Sequence, residues 1–221
     1  MIRVLVVDDQ PLIRDGLSSL LNLREGIEVI GTAVNGVDAL DKSLQLLPDM
    51  VLMDIRMPEV NGVEGTRLIR ERLPDVKVLM LTTFSDSEYL LDALEEGASG
   101  YLLKDLPTDS IVQAMLTVHH GGVVLPQDFA TQVLTEMRKT RQFEQAEVNI
   151  TPHVLGDLTS REKDVLSSLG EGLNNKEIAQ RLHITEGTVK NHVSNLIQKL
   201  EVRDRTQAAI FAVRYCITDF H

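Results

Sequence analysis

The first half of the chain alternates short apolar runs with longer stretches in which apolar residues recur at helical spacing. Five such runs each precede an amphipathic stretch, and this alternation predicts a βα repeat. The predicted strands are 2–7, 27–34, 50–53, 76–81 and 100–103, and the predicted helices are 11–23, 37–47, 62–73, 86–96 and 108–119. Because each helix must cross back over the sheet, we expect an α/β doubly wound, five-stranded parallel sheet covered on both faces.

The pattern changes after residue 121, and this change predicts a second domain. Residues 129–140 have weak helical spacing, and residues 142–157 contain Pro152 and no clear period. The predicted order is a first domain at 1–121, a linker with a helix at 122–154 and a second domain at 155–221. An extra helix packed on the first domain is the alternative interpretation of the middle segment.

Four short helices are predicted in the second domain, which we expect to be small and all-α. Three of them begin at polar residues that can cap a helix, namely Thr159 with Glu162, Asn174 with Glu177, and Thr185. The third helix should extend to about residue 200, and the fourth should cover 206–215. Residues 183–185 separate the second helix from the third, and so short a turn indicates a helix-turn-helix motif.

The net charge of −11 is distributed unevenly between the two predicted domains. Residues 1–121 contain ten basic and twenty acidic residues, whereas residues 154–221 contain nine of each. The acidic half would repel phosphates, but the neutral half can present a locally basic face. The apolar runs are far shorter than the roughly 20 residues of a membrane helix. With no signal peptide before the first strand and a single cysteine, Cys216, we expect a cytoplasmic protein without an internal disulfide.

Polar residues follow four of the five predicted strands. They are Asp8 and Asp9, Asp54, Thr82 and Thr83, and Lys104. Because the carboxyl ends of parallel strands meet at one edge of a sheet, we expect these side chains to lie close together. Three carboxylates about 5 Å apart would repel by roughly 3 kcal/mol per pair at an effective dielectric constant near 20. Either some of them keep a proton or a cation binds there, and oxygen ligands without histidine or cysteine favour Mg²⁺.

Asp54 is the best candidate nucleophile, because it ends the central strand and opens a loop. A carboxylate that attacks phosphorus forms an acyl phosphate, whose oxygens Lys104 and Thr82 could bind. Each residue also has a simpler interpretation. Taken alone, Asp9 is better explained as a helix N-cap. Asp54 could cap the following turn, Lys104 could be a solvated charge, and Thr82 could be a strand residue bonded to a carbonyl. Their convergence on one edge favours a common site.

Three segments resemble the receiver domain of two-component response regulators. They are VLVVDD at 4–9, VLMDIRMP at 51–58 with Gly62, and GASGYLLK at 97–104. The resemblance implies a flavodoxin-like fold with Asp54 as the phosphoacceptor. It also implies Mg²⁺ held by Asp9, Asp54 and the backbone carbonyl of Arg56, with Asp8 acting mostly through water.

The same resemblance assigns roles to three residues of the last two strands. Thr82 and Tyr101 match the switch pair of the family, and Lys104 matches its phosphoryl-binding lysine. Many receivers have proline after this lysine, whereas this chain has Asp105. That departure is common in the NarL/FixJ branch of the family.

Three segments of the second domain resemble the LuxR-type helix-turn-helix of NarL/FixJ-like regulators. They are LTSRE at 158–162, NKEIA at 175–179 and TVKNHV at 188–193. The resemblance implies binding to double-stranded DNA. The candidate DNA contacts are Thr188, Lys190, Asn191, Ser194 and Lys199. Further candidates for phosphate contact or simple solvation are Lys176, His192, Arg203 and Arg205.

The helical pattern supports part of this set independently. On a helix from 186 to 200, three of the candidates lie opposite the apolar stripe, at Lys190, Asn191 and Ser194. A recognition helix presents such side chains to base edges in the major groove.

The predicted function is a DNA-binding response regulator and not an enzyme. A sensor histidine kinase phosphorylates Asp54, Tyr101 rotates inward, and a two-state equilibrium shifts to release the DNA-binding domain or to favour homodimers. Val213 and its neighbours are candidate dimer contacts, with core packing as an equal alternative. One rival function is a regulator whose helical tail binds a protein. The other is a metal-dependent phosphohydrolase, although no general acid follows Asp9 and no capping insertion is visible.

Overall fold

The computed structural model describes residues 1–83, 89–125, 155–215 and 217. The chain forms two compact units, an N-terminal unit at Met1–His120 and a C-terminal unit at Gly121–His221. The predicted helix at 129–140 and Cys216 lie outside the described residues. Within the described segments, no helix combines the length and apolar character needed to cross a bilayer.

The N-terminal unit is built on one parallel sheet of five strands. The strands are β1 (Ile2–Val7), β2 (Ile27–Ala33), β3 (Met50–Asp54), β4 (Lys77–Thr82) and β5 (Gly100–Leu103). Their order in the sheet is β2-β1-β3-β4-β5, and each neighbouring pair is parallel. Every residue of β3 is buried, because helices cover both faces of the sheet. The predicted doubly wound fold is therefore confirmed.

Five helices accompany these strands, each within a few residues of its predicted limits. They are α1 (Pro11–Asn22), α2 (Gly36–Leu46), α3 (Gly62–Arg72), α4 (Leu90–Glu95) and α5 (Thr108–His119). The side chains of Asn35 and Asn61 accept backbone N–H bonds at the starts of α2 and α3, which satisfies donors that the helix leaves unpaired. The predicted start of α4, at residue 86, lies in the segment 84–88 that the structure does not describe.

Strand register brings the polar strand ends to one edge of the sheet. The pairing of β1 with β3 places Asp8 level with Asp54. The pairing of β4 with β5 places Lys104 just beyond Thr82, and the Lys104 amide donates to the Thr82 carbonyl at 2.7 Å. Four residues that are far apart in sequence thus meet through backbone pairing alone.

Gly62 holds the turn after β3 close to the end of that strand. Its amide donates to the Ile55 carbonyl at 2.8 Å. A Cβ atom at this position would lie 1.9 Å from the Asp54 carbonyl oxygen, a distance that no real contact allows. Only glycine permits this approach, so the loop that follows Asp54 depends on it.

The described C-terminal unit contains helices α6 (Ser160–Gly170), α7 (Asn175–Leu182), α8 (Glu186–Lys199) and α9 (Arg205–Arg214). Both predicted capping boxes are present, at the starts of α6 and α7, and Thr185 caps α8. His183 ends α7 in the left-handed conformation, with φ of 53°, and so turns the chain into α8. Helices α7 and α8 form the predicted helix-turn-helix.

The apolar stripe of α8 faces the core of this unit as predicted. The side chains of Val189, Val193, Leu196 and Leu200 are buried there, and Ile197 is partly buried. On α9, Val213 is only 2% exposed. This burial favours packing for Val213, and a dimer contact by Val213 and its neighbours stays a prediction.

Candidate functional site

Three carboxylates converge where β1 and β3 end. Asp8, Asp9 and Asp54 each place one carboxylate oxygen within 4.8 Å of the others. Asp8 and Asp54 are buried, whereas Asp9 is partly exposed. The structure thus assembles the acidic cluster that the strand ends predicted, with two of its charges removed from water.

Lys104 joins this cluster from the end of β5. Its ammonium lies 2.7 Å from Asp8 Oδ2 and 2.8 Å from Asp54 Oδ2. The three side chains are between 5% and 14% exposed, so the ion pairs are largely screened from solvent. The simple alternative of a solvated Lys104 does not hold, because the ammonium bridges two carboxylates.

The positive charge of Lys104 does not fully offset the burial of the Asp54 carboxylate. Burial raises the pKa of Asp54, and the nearby charge of Asp8 raises it further, while Lys104 and the Ile55 amide lower it. The net pKa lies above its ordinary value. For Lys104, burial lowers the pKa, but the hydrogen bonds and charges of Asp54 and Asp8 together outweigh burial and raise it. One ammonium therefore holds its proton firmly but does not fully compensate the buried carboxylates.

Asp9 shows that the cluster has room for a cation. Its Oδ1 atom is buried and accepts no hydrogen bond from the described residues. The simpler interpretation of Asp9 as a helix N-cap is wrong, because Gln10 is the N-cap of α1 and that position makes no side-chain capping hydrogen bond. An unpaired carboxylate oxygen beside two further carboxylates suits Mg²⁺, which prefers oxygen ligands. The residues present therefore fit the metal that the sequence predicted.

A cavity of about 410 Å³ adjoins the cluster. It is lined by Asp9, Ile55, Arg56, Met57, Pro58, Asn61 and Tyr89. The guanidinium of Arg56 lies 5.8 Å from the centre of the Tyr89 ring, within reach of a cation–π contact. The loop that carries the Arg56 carbonyl thus borders both the acidic cluster and the start of α4.

Thr82 and Tyr101 lie on neighbouring strands next to this cluster. Thr82 is fully buried, and its hydroxyl is 3.4 Å from the Thr83 carbonyl oxygen, at the limit of a hydrogen bond. Tyr101 is 2% exposed. The sequence predicted that Tyr101 rotates inward after phosphorylation, and in this structure the side chain already lies inside.

The exposed surface of α8 carries most of the predicted DNA contacts. Lys190, Asn191 and Ser194 are exposed, and Thr188 is partly exposed. Lys199 differs from them, because its ammonium bonds Glu162 Oε2 of α6 at 2.8 Å.

Arg205 is neither a surface phosphate contact nor a simply solvated charge, and that prediction is wrong. Its guanidinium donates to Asn175 Oδ1 at 2.5 Å and to the Leu173 carbonyl. Burial lowers the pKa of Arg205 to about 10. The side chain therefore links α9 to the start of α7 and has a structural role.

Two residues near these sites escaped the sequence analysis, and a third was recognised for only one of its contacts. Asn61 precedes the predicted α3 helix, and its capping position was the signal that could have revealed it. Tyr89 lay inside a predicted helix without any distinguishing pattern. Glu162 was recognised as a capping residue, but nothing in the sequence links it to Lys199 across 37 positions.

Comparison with known protein families accounts for both units. Residues 4–116 match the response regulator receiver domain, and residues 157–212 match the bacterial regulatory proteins of the luxR family. The chain is 60% identical over 220 residues to the transcriptional regulatory protein LnrK of Bacillus subtilis, with all of both chains covered. The chain belongs to the response regulators of the NarL/FixJ family. It consists of a receiver domain followed by a LuxR-type DNA-binding domain.

Two further relatives match this chain over nearly its whole length. The response regulator protein VraR of Staphylococcus epidermidis is 42% identical over 214 residues, covering 97% of each chain. Among solved structures, response regulator ChrA of a heme-sensing two-component system has 32% identity and a TM-score of 0.52, covering 98% of each chain. The agreement thus extends to the order of the two domains and not only to each domain alone.

Proposed function

We propose that this response regulator is switched by transfer of a phosphoryl group from a sensor histidine kinase to Asp54. The observation that carries the proposal is Lys104, whose ammonium bridges Asp8 and Asp54. A phosphoryl group adds about −1.5 to −2 charge at pH 7. An ammonium already held at the cluster can exchange a carboxylate for a phosphoryl oxygen over a short distance.

The transfer itself requires a deprotonated Asp54. One Asp54 oxygen forms the bond to phosphorus while the N–P bond of the kinase phosphohistidine breaks, and the electron pair remains on the imidazole nitrogen. Because burial raises the pKa of Asp54, a second cation favours the reactive form. We assign Mg²⁺ to Asp9, Asp54 and the Arg56 carbonyl, with Asp8 through water, where it neutralises charge on the phosphoryl oxygens when bound.

The response to phosphorylation is assigned to Thr82 and Tyr101. Thr82 ends β4 next to Lys104, at the same edge of the sheet. Its hydroxyl can bind a phosphoryl oxygen. Tyr101 packs on the adjacent strand, where a shift of Thr82 changes the space for its ring. This coupling would bias a two-state equilibrium towards a homodimer whose two helix-turn-helix motifs bind two half-sites of an operator.

Recognition of double-stranded DNA is assigned to the exposed side of α8, at Thr188, Lys190, Asn191 and Ser194. Lysine and asparagine suit guanine and adenine edges, respectively. The domain limits at 1–121, 122–154 and 155–221 belong to this proposal, as does a cytoplasmic location, where the regulator meets its DNA.

The test compares the full chain with Asp54→Ala in beryllofluoride and Mg²⁺, a stable phosphoryl analogue. Sedimentation should show dimers of the unmodified chain only with the analogue, and mobility shifts with genomic fragments should tighten in parallel. Asp54→Ala should show neither change. An equal response of the variant would refute Asp54 as the acceptor, and dimers without any DNA shift would favour the rival protein-binding function.

A further inference from the structure

Lys199 occupies the last turn of the recognition helix α8, but its contacts point back into the protein. The ammonium lies 2.8 Å from Glu162 Oε2. Its only other partner among the described residues is the Asp157 carbonyl, at 3.5 Å. Glu162 is 5% exposed on its side chain, whereas Lys199 is 39% exposed. The lysine therefore reaches from the surface towards a buried carboxylate on α6.

Glu162 is itself fixed by the start of α6. The same Oε2 atom accepts hydrogen bonds from the Thr159 amide and the Thr159 hydroxyl, both at 2.9 Å. Burial raises the pKa of Glu162, but the hydrogen bonds from Lys199 and Thr159 outweigh burial and hold the pKa below its ordinary value. The carboxylate is thus a charged anchor for Lys199, held by two hydrogen bonds from Thr159.

Helical geometry separates Lys199 from two of the proposed DNA contacts, Lys190 and Ser194. Lys190 and Lys199 are about two and a half turns apart at 3.6 residues per turn, so they lie on opposite sides of α8. Ser194 lies on the side of Lys190, about 140° around the helix from Lys199, whereas Asn191 lies about 80° from Lys199. A surface that faces Lys190 and Ser194 therefore turns Lys199 aside.

We propose that Lys199 is a positioning residue for DNA recognition, which acts through Glu162 and not by contacting phosphate. The ion pair fixes the C-terminal end of α8 on α6, while the Thr185 cap and the preceding turn fix the other end. Base-reading side chains must be held within about 0.5 Å of their productive geometry. The inference takes DNA binding from the family and is independent of phosphorylation at Asp54.

The experiment measures the affinity of the full chain for two duplexes of equal length. One carries a promoter fragment that the unmodified protein shifts, and the other has a random sequence. The variants are Lys199→Met, Lys199→Gln, Glu162→Gln and the double variant Glu162→Gln/Lys199→Met. Lys163→Met, at an exposed lysine of α6, is the matched control. Circular dichroism and thermal unfolding ensure that each variant is compared in its folded state.

A positioning role predicts that Lys199→Met and Glu162→Gln each weaken promoter binding by about tenfold. The double variant should be no weaker than either single one, because both remove the same contact. Glu162→Gln is decisive, since loss of a negative charge alone would strengthen binding to DNA. Lys199→Gln, which keeps a donor for Glu162 without the charge, should retain most of the affinity, and random-sequence binding should change little.

Salt dependence separates the two roles. Loss of one phosphate contact lowers the slope of log affinity against log salt by about 0.9, so Lys199→Met should leave the slope nearly unchanged. A slope lowered by that amount, with Glu162→Gln neutral or tighter, would overturn the proposal in favour of a phosphate contact. Unchanged promoter affinity in both Lys199→Met and Glu162→Gln would also overturn it, because the pair would then serve stability alone.

Discussion

Both units place a lysine against a buried carboxylate, but the balance of charge differs. In the N-terminal unit, Lys104 faces two carboxylates at the end of a sheet, with Asp9 nearby, and the pKa of Asp54 is raised. In the C-terminal unit, Lys199 faces a single carboxylate among the described residues, that of Glu162, whose pKa is lowered. The first site remains short of positive charge and can take up another cation, whereas the second is satisfied and fixes one helix on another.

The two units also present their functional groups differently. The receiver assembles its site from strand ends in distant parts of the sequence, and most of that site is buried. The DNA-binding domain presents adjacent residues of one helix to solvent. Single substitutions in the receiver site should therefore nearly abolish its function, whereas single substitutions on α8 should reduce DNA recognition by degrees.

The largest effect is expected from Asp54→Ala. No other carboxylate ends the central strand, so transfer of radiolabelled phosphate from a phosphorylated sensor kinase should be abolished. Asp41→Asn, at an exposed carboxylate on α2, is the control and should be labelled normally. Residual labelling of Asp54→Ala at the normal rate would show that the acceptor lies elsewhere and remove the basis of the comparison.

The next effect concerns Lys104→Met, which leaves two buried carboxylates without their ammonium. Breaking one side of a buried ion pair costs about 3–5 kcal/mol. We expect the free energy of unfolding of the N-terminal unit to fall by this order, and by less when Mg²⁺ is added. The measurement is urea unfolding monitored through the NMR signals of β3.

The more exposed pair between Lys42 and Asp38, with side chains 37% and 30% exposed, offers a control. Lys42→Met should cost less than Lys104→Met, about 1 kcal/mol, because ion pairs in contact with solvent contribute little. If Mg²⁺ stabilised Lys104→Met no more than the unmodified chain, the view of the receiver site as short of positive charge would be wrong.

Asn191→Ala should have a graded effect on DNA recognition. Loss of a bidentate contact to a base should reduce discrimination at one base pair by about 1–3 kcal/mol. The measurement is affinity for a bound promoter fragment and for versions with single base-pair changes, with Lys163→Ala as the control. A uniform loss across all fragments would instead indicate a backbone contact for Asn191.

The smallest effect is the pH dependence of the C-terminal unit. Because the pKa of Glu162 is lower in the folded state than its ordinary value of 4.5, its contribution to stability is complete above pH 4.5. That contribution is lost as pH falls through the lowered pKa. Hydrogen exchange of α6 and α8, corrected for intrinsic rates, should show this acid destabilisation in the unmodified chain.

Two variants sharpen the pH experiment. Glu162→Gln should be less stable at neutral pH, by about 1 kcal/mol for the weakened cap, and less sensitive to acid. Glu186→Gln removes an exposed carboxylate from α8 and should keep the normal acid profile. An unaltered acid profile in Glu162→Gln would mean that Glu162 is not the anchor described above.

Much of this protein follows from local sequence patterns. The five βα repeats, both capping boxes and the turn at His183 each depend on residues close together in the chain, and the strand ends of a parallel sheet meet at one edge whatever the loops do. For that reason the convergence of Asp8, Asp54 and Lys104 was predictable from the sequence.

Other features depended on the tertiary structure. Taken alone, Asp9 suggested a helix N-cap, but its carboxylate lies against two others and its Oδ1 has no hydrogen-bond partner among the described residues. Basic residues near a recognition helix look alike in sequence, yet Arg205 bonds α7 and Lys199 bonds α6. The sequence alone determined which residues are charged and which element each belongs to. Only packing decided their partners, because an ion pair between two helices is set by how the apolar faces of those helices fit together.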